Sequence, residues 1–178
     1  MGQKCDELVQ ECRRLSENCL YTSTAFYIWL RELRRWRTAF VITPLIFGGF
    51  ATGRLLFWTD SSTTKIVSAV AAFAAGLLPA IYSALKFDDK LRECTNAAAD
   101  FKNLQDRFRQ AAQVATHKPF PEFEKQFNEL MNRLESARKP SITPPERIFR
   151  KAQAKVKSGD YTFDVDIKET ETSGKPQD

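Results

Sequence analysis

Cys5, Cys12 and Cys19 recur every seven residues, and a fourth cysteine, Cys94, stands far away. An ionised thiol is a metal ligand and a nucleophile, so this spacing has to be read first for chemistry. Zinc sites built on cysteine use pairs two to four residues apart. A seven-residue step separates the sulfurs by about 10 Å along one helix, too far to share an ion within one chain. The three cysteines read as small apolar residues on a helix seam, with metal or redox contacts across subunits as the alternative. His117, the single histidine, sits in a break before Pro119 and reads as a loop residue. Asp88 and Asp89 are adjacent, so they diverge on a helix and make a poor acid–base pair. No nucleophile elbow, phosphate-binding glycine loop, dinucleotide fingerprint or zinc-protease motif occurs. The expectation is a protein that is not an enzyme, with no catalytic residues, no metal ligands and no cofactor.

The elements that carry these residues follow from the charge pattern. The chain has 178 residues, with Lys+Arg 27, Asp+Glu 22 and a net charge of +5. Residues 1–37 hold 7 basic and 5 acidic side chains, 86–139 hold 11 and 9, and 140–178 hold 7 and 7. Between them, 38–85 holds only Arg54, Asp60 and Lys65. A helix over Thr38–Trp58 or Ile66–Leu85 is about 30 Å long, which matches the hydrocarbon core of a bilayer. The pattern predicts an all-α membrane protein whose two-helix transmembrane hairpin continues into a cytoplasmic helical bundle or coiled coil. Its parts are a cytoplasmic helix (1–37), a first span (38–58), an outer loop (59–65), a second span (66–85) and a cytoplasmic helical hairpin (86–139). A short amphipathic helix with an extended segment (140–167) and a disordered tail (168–178) follow. A pair of buried core helices in a soluble protein is the competing reading of the two apolar stretches.

Arg31, Arg34, Arg35 and Arg37 precede the first span, Lys86, Lys90 and Arg92 follow the second, and the loop holds only Lys65. That bias places both termini in the cytoplasm, with Trp36 and Trp58 as interface aromatics. The interleaved charges and the position of the basic cluster speak for membrane contact and against nucleic acid.

The cytoplasmic parts carry helical seams. Cys5, Leu8, Cys12, Leu15, Cys19, Thr22, Phe26, Trp29, Leu33 and Trp36 alternate steps of three and four. Leu91, Cys94, Ala98, Phe101, Leu104, Phe108, Ala111 and Ala115 follow a similar rule, as do Phe120, Phe123, Phe127, Leu130, Leu134 and Ala137. Pro145 and Glu146 start a short helix with Ile148, Phe149, Ala152 and Val156 on one side. Tyr161, Phe163, Val165 and Ile167 alternate as a strand would.

Within the spans, Ser68, Ala72, Gly76, Ala80 and Ala84 form a stripe of small residues, and Gly49 and Gly53 form a GxxxG pair. Small residues let membrane helices approach closely, within the hairpin or between subunits. Pro44 and Pro79 lie at one depth in antiparallel spans and are candidates for a hinge or for static bends. Arg54 is placed to snorkel to the outer interface, or to sit at a pore mouth. Thr38, Thr43, Thr52 and Ser83 are the other polar groups of the spans.

RRWR (Arg34–Arg37) before a span with an early proline, the short loop, LLPAIYSALKFDD (Leu77–Asp89), AADFKNLQDRF (Ala98–Phe108) and PPERIFRKAQAKVKSGDY (Pro144–Tyr161) together form a familiar pattern. Over residues 5–167 the chain resembles the SLATT family, two-transmembrane effector domains of bacterial nucleotide-signalling conflict systems. The resemblance implies a homo-oligomer that permeabilises the inner membrane when a nucleotide-producing or nucleotide-sensing partner triggers it, and so stops growth during phage infection. A non-conducting membrane scaffold that recruits cytoplasmic partners is the alternative.

Overall fold

The structure, a computed structural model, describes residues 2–57, 62–115, 118–139 and 142–159, without the side chains of 2, 3, 54–57, 62 and 64. The elements are α1 (Gly2–Phe57), α2 (Ser62–Ala84), α3 (Phe87–Val114), α4 (Phe120–Arg138) and α5 (Glu146–Lys157). The protein is all-helical, with no strand among the described residues. The expected strand (161–167), the tail, Trp58 and His117 lie outside the described residues.

The chain divides into two compact units, one of Met1–Ile28 with Ala98–Asp178, the other of Trp29–Ala97. The first is a helical bundle around a buried core. On α1, Cys12, Leu15, Cys19 and Phe26 are buried; on α3, Phe101, Leu104 and Phe108; on α4, Phe123, Leu130 and Leu134; on α5, Ile148 and Ala152. Phe127 is half-buried, with its ring 6.5 Å from Phe108. Phe26 stacks on Phe101 at 5.8 Å, and the Ser16 hydroxyl donates to the Gln105 carbonyl at 3.1 Å. Residue numbers rise along α1 as they fall along α3, so the two helices run antiparallel. Their aromatic and aliphatic side chains dominate the energy of the unit, at roughly 1.5–3 kcal/mol for each fully buried one.

Helix ends are set locally. Proline opens both α4 and α5: Pro119 and Pro145 occupy the N-cap positions with extended backbone, where a missing N–H costs nothing. Pro121 lies in the first turn of α4. Lys86, between α2 and α3, has φ 47, the left-handed conformation that stops a helix. Leu85 N–H still reaches the Ile81 carbonyl and Lys86 N–H the Ser83 carbonyl, closing the last turn of α2.

Candidate functional site

The second unit has a thin interior and an apolar exterior. Ala51 on α1 and Ser68 and Ala71 on α2 are buried. Ala75, Leu78 and Tyr82 continue that inward side of α2 as half-buried residues. Outward, Val41, Ile42, Leu45, Ile46 and Phe50 of α1 are exposed, as are Ile66, Val70, Phe73 and Leu77 of α2. Leu45 and Phe73 are each 71% exposed. Lys65–Ala84 is the one segment among the described residues that is long and apolar enough to cross a membrane, and 11% of it is buried. The core helix of a soluble protein would be mostly buried.

Two of the hydroxyls in this apolar stretch are satisfied by the helix itself. The Thr38 hydroxyl donates to the Arg34 carbonyl at 3.0 Å and the Thr52 hydroxyl to the Gly48 carbonyl at 2.9 Å. Such internal bonds are what a helix needs where no water is available. The Ser68 hydroxyl, by contrast, is buried without a hydrogen-bond partner, an omission that costs about 1–3 kcal/mol.

The stripe of small residues does not lie between α1 and α2. Ser68 is buried, but Ala72, Gly76, Ala80 and Ala84 are exposed. The contact side of α2 is instead Ser68, Ala71, Ala75, Leu78 and Tyr82, because a helix turns 100° per residue and a four-residue step drifts off the contact line. Gly49 is exposed and Gly53 half-buried, and an added Cβ at Gly48, Gly49, Gly53 or Gly76 would meet nothing within 4 Å. Close helix approach within the chain therefore does not require these glycines. Pro44 and Pro79 lie inside continuous helices, where each removes one helix hydrogen bond. Arg54 falls within α1, and its side chain is among those not described.

One end of this unit is fastened by a cluster that single-helix spacing did not reveal. Arg37 Nε lies 3.0 Å from Asp88 Oδ1, both side chains more than half exposed. A hydrogen bond with Tyr82, with the charge of Asp88 second, holds the Arg37 guanidinium more firmly protonated than usual. Phe40 lies 5.3 Å from Phe87 and 6.2 Å from Tyr82, and Tyr82 stacks on Phe87 at 5.5 Å. These contacts correct the end of the N-terminal seam: the inward line runs Leu30, Leu33, Arg37, Phe40, while Trp36 is 59% exposed. Trp29 is half-buried, and Arg34 and Arg35 are exposed.

The cysteines are thiols of the interior. Cys12, Cys19 and Cys94 are buried, Cys5 is half-buried, and none of the four forms a disulfide. Burial pushes Cys12, Cys19 and Cys94 up to about 11. They are therefore protonated at neutral pH, which is unsuited to nucleophilic or ligand chemistry. Among the described residues, no group of three or more His, Cys, Asp or Glu side chains is placed to hold a metal ion. In the bundle unit, α3 and α4 border an open groove of about 460 Å³ lined by Asn103, Leu104, Arg107, Asn132, Arg133 and Ser136. Arg107 Nε in it donates to Asn103 Oδ1 at 2.7 Å.

A family model described as "Mobilome CxxCx(11)CxxC protein" matches residues 9–149, most of the chain, so the protein belongs to that family. The matching description is not SLATT. No curated protein and no solved structure matches the chain. The cysteine pairs in the family's description are missing from this sequence, where no two cysteines are separated by two residues. A paired dithiol, the unit that binds zinc or cycles redox states, is thus not available here.

Proposed function

We propose that the protein is an inner-membrane effector in which residues 38–58 and 66–85 cross the bilayer as a hairpin and both termini stay in the cytoplasm. The observation that carries this reading is the inverted apolar stretch between residues 38 and 85: most of its large hydrophobic side chains are exposed, while its buried residues are Ala51, Ser68 and Ala71. Exposed apolar surface of that extent is a poor fit to water and a good fit to lipid. The cations that flank the hairpin support the orientation. A two-helix subunit cannot enclose a pore, so conduction requires a homo-oligomer. The outward Ala72–Gly76–Ala80–Ala84 stripe is the surface on which copies would meet.

The likeness to SLATT supplies the rest of the proposal: a nucleotide-producing or nucleotide-sensing partner triggers the oligomer, the membrane is permeabilised, and growth stops. The mobilome description of its family suits a role in conflict with mobile elements. The chain acts without catalysis or cofactor, with the bilayer and itself as its main partners and no nucleic acid. Dye release from liposomes containing the purified protein tests the pore. Release that Gly76→Leu abolishes is the expected result. Tight liposomes with correctly inserted protein would leave the scaffold reading in its place.

A further inference from the structure

We propose that the outward face of α1 just before its apolar stretch is a binding site for the phosphate groups of anionic phospholipids, with Arg31, Arg34 and Arg35 as its ligands. The proposal rests on the membrane reading above and names the lipid class that this site takes.

The face can be followed turn by turn. The inward line is Leu30, Leu33, Arg37 and Phe40, fixed by the burial of Leu30 and Leu33 and by the contacts of Arg37 and Phe40 to Asp88, Tyr82 and Phe87. At 100° per residue, Arg31 and Arg35 lie across the helix from that line and Arg34 lies at its side, and all three are exposed. Ile42, Leu45, Ile46 and Gly49 continue the same exposed face. One side of one helix thus changes from three guanidiniums to aliphatic side chains across a single residue of the face, Thr38. Thr38 closes the junction by donating its hydroxyl back to the Arg34 carbonyl. A helix whose exposed face switches from cationic to apolar along its length matches a boundary between headgroups and acyl chains. Trp36, on the flank, adds the amphipathic ring common at that depth.

Charge decides the lipid. Residues 31–37 hold Arg31, Arg34, Arg35 and Arg37 against Glu32 alone, whereas residues 86–93 hold Lys86, Lys90 and Arg92 against Asp88, Asp89 and Glu93. Arg37 is engaged inward by Asp88. The surplus therefore sits on the outward arginines, and guanidinium forks bind phosphate oxygens two at a time. A zwitterionic headgroup offers the same phosphate with its own cation beside it, which repels the site.

The test uses the full chain and vesicle flotation. Phosphatidylcholine vesicles are compared with vesicles that also contain phosphatidylglycerol, each with and without inorganic phosphate. Binding to the phosphatidylglycerol vesicles should be tighter by on the order of a hundredfold for three cations, and added salt should erode the difference. Inorganic phosphate matched in ionic strength to sodium chloride should do no more than that salt. The triple substitution Arg31→Gln, Arg34→Gln, Arg35→Gln should remove the preference, and the triple Lys substitution should keep most of it. Circular dichroism checks that both variants stay helical. Flotation that is equal on the two vesicles, or a triple Gln variant that keeps the preference, overturns the lipid site while leaving the membrane reading intact. Loss of the preference in phosphate beyond the salt control would assign the arginines to free phosphate and also overturn it. No flotation on either vesicle removes the membrane reading, and this site with it.

Discussion

The two units place similar side chains in opposite ways. In the bundle unit, Phe101, Phe108, Phe123, Leu130 and Leu134 are buried, and charged residues cover the outside. In the apolar stretch of the second unit, residues 38–85, Leu45, Ile46, Phe50, Val70 and Phe73 are outside, and the buried residues are Ala51, Ser68 and Ala71. The first arrangement is held together by the expulsion of apolar surface from water. That force has little to act on inside the second, where small side chains bury little area. Such an apolar exterior suits surroundings that are themselves apolar, as in the membrane reading proposed above. One chain thus carries two solutions to one problem, divided near Ile28 and Ala97.

Substitutions should separate the units most strongly where this contrast is greatest. Phe108 is 0% exposed, and Phe108→Ala should destabilise the bundle by about 3–5 kcal/mol, the usual cost of an aromatic truncation in a core. Chemical denaturation in detergent, followed by circular dichroism, reads this directly. Phe73→Ala should leave the same midpoint unmoved, because Phe73 is outside. Phe73→Asp has the complementary effect. It should cost about 2.5–3.5 kcal/mol of membrane insertion, seen as protein shifting to the soluble fraction after carbonate extraction, with the bundle still folded.

The cysteines give a pH test of the bundle. Folding raises Cys12 and Cys19 from the ordinary 9.0 to about 11, because the ionised form is penalised by burial. A folded value above the unfolded one contributes stability that is complete below about pH 9 and is lost as pH rises towards about 11. Urea midpoints across that window should fall, and the fall should be smaller in Cys12→Ala, Cys19→Ala protein. At pH 8 both thiols should react with maleimide only as fast as the bundle opens, and Cys5, half-buried near the start of α1, should react first.

Two smaller effects probe the fastening between α1 and α3. Lys86→Gly relieves a left-handed backbone that costs a residue with a side chain about 1–2 kcal/mol, so it should raise thermal stability slightly. Arg37→Gln and Asp88→Asn should each have the smallest effect of all, because the pair is exposed and such pairs contribute little. A double-mutant cycle read by thermal unfolding detects whether the two are coupled.

Much of the bundle was legible from periodicity. Steps of three and four pick out Cys12, Leu15, Cys19, Phe26, Phe101, Phe108, Phe123, Leu130 and Leu134, which the structure buries. Periodicity failed at the end of the first seam. A strict heptad repeat drifts about 20° per heptad on a straight helix, so the contact line that passes through Cys19 moves to Ser23, Phe26, Leu30 and Leu33, and reaches Arg37 where the repeat pointed to Trp36. Asp88, Tyr82 and Phe87 were invisible as partners of Arg37 and Phe40, since nothing local in a sequence reports which residues a distant helix brings near. The small-residue stripe was read correctly as a stripe, but composition cannot say which neighbour a stripe faces. In the structure most of it faces outward.

The bilayer placement of the apolar unit is tested most directly by nitroxide labels at Leu45 and Phe73 in proteoliposomes, with a label at an exposed bundle position such as Glu124 as the reference. Collisions with oxygen should be frequent and collisions with a water-soluble nickel chelate rare at positions 45 and 73, with the opposite order at 124. Frequent nickel collisions at both 45 and 73 would place the apolar unit in water and contradict the membrane reading.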